Sequence, residues 1–146
     1  MEIAIIADDT RKELAIQFCI AYCGILSRHH ICATAKTASV LSDATGLNIE
    51  SLLPGSHGGE QQITSRISCD EIDVLLYFRS ATPKPEFDEA EYNLLRLCDG
   101  HNVPMATNIA TAEIVVRALE RGDLDWREIL NPRSDYNRRK RRFKVM

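Results

Sequence analysis

Two almost uninterrupted apolar runs limit the fold of this chain more than any other feature of its sequence. Residues 2–7 (EIAIIA) and 72–78 (IDVLLYF) lack the alternation of a half-exposed strand, so as strands they must be buried on both faces. Sheets of such strands are parallel and covered by helices. The shorter runs 30–34, 49–53 and 103–107 supply three more strands. Between them lie segments of helical spacing: 8–28, with Leu14, Phe18, Ala21, Tyr22 and Ile25 on its apolar stripe; 37–44, closed by Gly46; 60–69; 88–101; and 108–121, ahead of Gly122. This order predicts an α/β fold, a three-layer α/β/α arrangement around a parallel five-stranded Rossmann-like sheet. Residues 126–130 read as an additional strand or an irregular edge, and 138 onward as a helix or a loose tail.

Right-handed crossovers place the C-terminal ends of all the strands on one rim, where open α/β sheets bind ligands. The polar stretches that follow the strands then face one crevice. They are 8–12 (DDTRK), 34–37 (TAKT), 55–60 (GSHGGE), 79–86 and Asn108. In the third, three glycines within five positions lead directly into a helix opening with Glu60, Gln61 and Gln62. Glycines let backbone N–H groups approach an anion, and a helix N-terminus favours negative charge. Lys12, Thr34, Lys36, Thr37, Gly55 and Ser56 are accordingly candidates for a phosphate cradle. Glu60 does not suit that purpose, because a carboxylate repels what the amides attract. With Asp8 and Asp9 it is instead a candidate for proton transfer, and His57 for polarising a ligand oxygen.

A chain of 146 residues with 45% hydrophobic and 27% charged content suits one domain with a real core. We expect that domain over 1–137 and a basic tail over 138–146, since Arg138, Arg139, Lys140, Arg141, Arg142 and Lys144 crowd the end of a chain of net charge −3. The acidic body lacks the wide basic face and interleaved aromatics of a nucleic-acid binder, so nucleic acid is not the expected partner. Five cysteines without a C-x-x-C pair read as reduced thiols of a cytoplasmic protein. No apolar run approaches the length of a membrane span, and no signal peptide is visible.

The chain from Ile3 to about Tyr136 resembles the methylglyoxal synthase family. The matching segments are I-A-x-x-A-x-D-x-x-K (3–12), the threonine-containing turn 34–37, A-T-G-L-N-I (44–49), G-x-x-G-G-x-Q-Q (55–62), I-D-V-L (72–75), L-L-R-L (94–97) and V-P-x-A-T-N-x-A-T-A (103–112). The resemblance implies conversion of dihydroxyacetone phosphate to methylglyoxal and inorganic phosphate, a carbon–oxygen lyase reaction with no metal or organic cofactor. It implies phosphate contacts at Lys12, Thr34, Thr37 and Gly55 and a base at position 60. It also implies a homo-oligomer, typically a hexamer, in which Arg141 or Arg142 reaches a neighbour's phosphate.

The departures from the family pattern cluster where that chemistry would occur. Glu60 stands where the family has aspartate, and Asp8 where it has histidine. The family's H-x-x-D after the fourth strand reads Phe87, Asp88, Glu89, Ala90. Its T-G-T-T-G turn reads Thr34, Ala35, Lys36, Thr37, Ala38. Binding residues survive better than proton-transfer residues, so the expectation is phosphate-ligand binding with weakened catalysis. The alternatives are an active synthase using Glu60 and an allosteric metabolite-sensing module.

Overall fold

The structure, a computed structural model, describes residues 1–145. In chain order its elements are β1 (Glu2–Ala7), α1 (Lys12–Ala21), α2 (Cys23–Leu26), β2 (His30–Ala33), α3 (Ala35–Thr45), β3 (Ile49–Ser51), α4 (Gly59–Ser68), β4 (Val74–Phe78), α5 (Asp88–Gly100), β5 (Met105–Ala106), α6 (Ile109–Arg121), α7 (Arg127–Leu130) and α8 (Asp135–Val145). Short 3₁₀ turns cover Asp9–Arg11, Gly55–His57 and Pro85–Phe87. The five strands form a parallel sheet in the order β3-β2-β1-β4-β5. This is the α/β architecture that the alternating runs predict.

The apolar run of β1 serves both sides of the sheet. Ile3, Ile5 and Ala7 enter one core with Phe18 of α1, Leu41 of α3 and Val116 of α6. Ala4 and Ile6 enter a second core with Ile63 and Ile67 of α4 and with Leu94 and Cys98 of α5. A central strand in this position cannot alternate apolar with polar residues, and its sequence does not.

Several elements differ from expectation. The predicted first helix is two, because the chain breaks at Tyr22 (φ −109°, ψ 20°). α3 begins at Ala35, so Lys36 and Thr37 sit in its first turn and not in the preceding loop. β5 is only two residues long, since Pro104 has no N–H to donate to a ladder. Residues 126–130 are not a strand: Arg127–Leu130 is a short helix.

That helix belongs to a clamp at the N-terminal rim. Arg127 is fully buried; its Nε lies 3.0 Å from Asp73 Oδ1, and its Nη atoms donate to the carbonyls of Asn102 at 2.8 Å and Ile72 at 3.0 Å. Asp73 Oδ2 also accepts from the Glu2 amide at 2.8 Å and from Asn131 Nδ2 at 2.9 Å. The charged pair is thus hydrogen-bonded on nearly every side, the condition for a buried pair to be tolerated. It ties the start of β1 and the entry to β4 to the C-terminal helices.

The five cysteines are free, and no helix is long and apolar enough to cross a membrane among the described residues. Burial pushes the Cys19 thiol up to about 12 and those of Cys32 and Cys98 up to about 11.

Candidate functional site

The glycine turn packs directly against the end of β2. A Cβ added to Gly59 would run into the Leu53 carbonyl oxygen and come within 2.9 Å of Thr34 Cγ2, while one on Gly55 would meet the same methyl at 4.0 Å. Gly58 has φ +102°, a conformation that side chains rarely adopt. These glycines let α4 begin against Thr34, the N-cap of α3. Leu53 N donates to Gln62 Oε1 at 2.8 Å, which fixes the turn to the helix it feeds.

Two helix N-termini therefore meet at one point on the C-terminal rim, each with first-turn N–H groups that have no partner inside the helix. Thr34 and Thr37 are buried there, and the Thr37 hydroxyl has no hydrogen-bond partner. Asp9 stands beside this point. Its Oδ1 takes Lys12 Nζ at 2.7 Å and Lys36 Nζ at 3.4 Å, and Lys12 also donates to the Ala7 carbonyl at 3.0 Å. Lys12 first, and Lys36 after it, hold the Asp9 carboxyl below its ordinary value. Lys12, Thr34, Lys36, Thr37, Gly55 and Asp9 are thus gathered around the start of α3.

Asp8 faces the other way. Its carboxylate caps the 3₁₀ turn by accepting from the Thr10 amide at 3.0 Å, and it pairs with Lys84 Nζ from the loop after β4. Lys84 first, with Thr10, lowers the Asp8 carboxyl to about 2. A carboxylate so held is a poor proton acceptor at neutral pH and a good anchor for the loop. Ser56 and His57 are exposed on the 3₁₀ turn, where Ser56 Oγ lies 2.8 Å from His57 Nδ1.

Glu60 occupies a different setting, half-buried in the first turn of α4. Burial raises its carboxyl above the ordinary range, and the neighbouring charge of Glu91 raises it further. Glu91, on α5, accepts a hydrogen bond from Tyr77 Oη at 3.0 Å and has Arg79 Nη1 at 3.9 Å. Burial first, then Glu91, also pushes the Tyr77 phenol up. Tyr77, Glu91, Arg79 and Lys84 are absent from the sequence-derived candidates. The signal for the two basic residues was position in the loop after β4. For Glu91 it was helical phase, one residue past Ala90. Phe87, which stands where the family pattern has histidine, is exposed.

The MGS-like domain matches residues 15–107. The methylglyoxal synthase of Caldicellulosiruptor saccharolyticus is 49% identical over 138 residues, 94% of this chain and 98% of that protein. The chain belongs to the MGS-like family. The methylglyoxal synthase of Thermoanaerobacter sp. is 45% identical over 129 residues, 88% of this chain and 98% of its own. A crystal structure of methylglyoxal synthase from Elizabethkingia anophelis superposes with a TM-score of 0.72 at 29% identity, over 79% of this chain and 76% of that one. In this MGS-like chain Arg141, on α8, donates to the Pro132 carbonyl and, among the described residues, makes no hydrogen bond to the gathered ones.

Proposed function

We propose that this family member binds a small phosphate monoester or phosphate itself, dihydroxyacetone phosphate or inorganic phosphate, at the joined N-termini of α3 and α4, and that it eliminates phosphate from the ester only slowly. The observation that carries the reading is Thr37: a buried hydroxyl without a partner, in the first turn of a helix, beside the buried Thr34. An unpaired buried hydroxyl costs about 1–3 kcal/mol, and a phosphate oxygen at the helix N-terminus would satisfy it. Lys12 and Lys36 supply positive charge, shared in the free protein with Asp9.

Proton abstraction from the hydroxymethyl carbon, across the carbonyl from the carbon bearing the phosphate ester, falls to Glu60, whose setting raises its affinity for a proton where those of Asp8 and Asp9 lower it. An ene-diolate phosphate then forms, and phosphate leaves as the C–O bond breaks toward charge held by the cradle. Compared with the aspartate of the family pattern, Glu60 carries its carboxylate one methylene further, and about 1 Å of misplacement can cost roughly 100-fold. Asp8, bound to Lys84, replaces the histidine of that pattern. As in the family pattern, Arg141 or Arg142 of a neighbouring copy completes the phosphate contacts in a homo-oligomer.

A second reading, a fully working synthase, is favoured by Glu91, a second carboxylate whose charge acts on Glu60. Rates of methylglyoxal formation decide between the two. A phosphate titration followed through the Lys36 and Thr37 amides tests the binding claim, which fails if those amides do not respond.

A further inference from the structure

The C-terminal rim carries an opening lined by none of the cradle residues. It is a cleft of about 280 Å³ whose polar wall includes Arg11, Arg79, Thr107 and Asn108 and whose apolar wall includes Leu14 and Phe78. Its place in the topology is informative. β1 connects onward to β2 on one side, while its other neighbour, β4, is reached only after the chain has crossed to the opposite face. The strand order therefore reverses between β1 and β4, and open α/β sheets bind ligands outside the strand ends at such a point. Arg11 follows β1 and Arg79 follows β4, one from each side of the reversal.

The charge of the cleft is unbalanced. The other basic residues near the rim are paired: Lys12 and Lys36 with Asp9, and Lys84 with Asp8. Arg11, half-buried, makes no ion pair among the described residues. Arg79 has only the loose contact to Glu91 at 3.9 Å. Among the described residues, no aspartate or glutamate lines the cleft. A half-buried guanidinium gains most from a planar or tetrahedral oxyanion that accepts from its fork of donors. The start of α6, 13 residues long and capped by Asn108, adds its dipole from the far wall.

We propose that this cleft is a second ligand site, for a small organic oxyanion whose charged group lies between Arg11 and Arg79 and whose short apolar part rests on Leu14 and Phe78. The cleft is below the usual size of drug-sized pockets, roughly 300–1,000 Å³, which limits the ligand to a few heavy atoms beyond the anion. The site does not depend on the cradle, because the two draw on different arginines, lysines and helix termini.

The test is an amide-shift titration of the full chain with n-propyl phosphate and, separately, with inorganic phosphate. The expected result is a saturable response of the Thr107, Asn108 and Ile109 amides, stronger for propyl phosphate than for phosphate. R11Q and R79Q should each weaken it by about 10-fold or more, as expected for loss of a charge-assisted contact, while the Lys36 and Thr37 amides respond as in the unmodified chain. If R11Q does not fold, R79Q alone carries the comparison. Silent amides at 107–109, or a titration that neither substitution changes, would overturn the second site. Silence at Lys36 and Thr37 with a response at 107–109 would count against the cradle alone.

Discussion

Thr37 and Glu60 each hold a polar group in a setting that costs stability, which is the usual mark of a site built for a ligand or a reaction. For Thr37 the cost is an unpaired buried hydroxyl. T37V keeps the shape and removes the hydroxyl, so the free protein should gain about 1 kcal/mol while phosphate affinity falls roughly 10-fold; thermal unfolding and a phosphate titration check the two halves. For Glu60 the cost is a half-buried charge. Its folded carboxyl is raised above the ordinary value of 4.5, so the native state holds that proton more tightly than the unfolded chain does. The contribution of Glu60 to stability is therefore fully present below the unfolded value and is lost as pH rises through the folded one. E60Q should match the unmodified protein at low pH and be the more stable of the two above that window, as measured by denaturant unfolding across pH. Glu91 acts on the same equilibrium. E91Q removes the neighbouring charge, lowers the Glu60 carboxyl toward its ordinary value and moves the acid limb of kcat/KM to lower pH.

The helix starts show where sequence reasoning reached and where it stopped. The glycine turn was legible because only glycine tolerates φ +102° at position 58 and the close approach of position 59 to Leu53. G59A should destabilise by roughly 1–3 kcal/mol, the range for forcing atoms into a packed site, with α4 displaced from Thr34; unfolding curves of the variant measure this. Residues 126–130 were misread for a physical reason. Their large apolar side chains, Trp126, Ile129 and Leu130, are exposed, and the buried residue is Arg127. A pattern that assigns apolar residues to the interior has nothing to find there. The Tyr77–Glu91 contact was hidden in the same way, since a strand residue and a helix residue 14 positions apart meet only once α5 has packed on the sheet.

Across the whole molecule, the alternation of buried strands and amphipathic helices was enough to give the sheet, while the side chains that hold it shut were not visible in any local pattern. Asp73 lies in the apolar run that predicts β4, yet it is the hub of the clamp formed with Arg127, Asn131 and the Glu2 amide. D73A would leave the Arg127 charge buried and uncompensated, at a cost of roughly 3–5 kcal/mol, detectable as a loss of folded protein or a large drop in unfolding midpoint. The clamp lies on the N-terminal rim and the candidate site on the C-terminal rim, so stability and chemistry are separated by the length of the strands. The reading advanced for this family member is that phosphate binding is kept while proton transfer, through Glu60, is slow. Its most direct test is the rate of methylglyoxal formation from saturating dihydroxyacetone phosphate by the unmodified chain, beside E60Q. The account predicts turnover at least ~100-fold below the common enzymic rate of about 10 per second, and abolished in E60Q. Turnover at that common rate would contradict it.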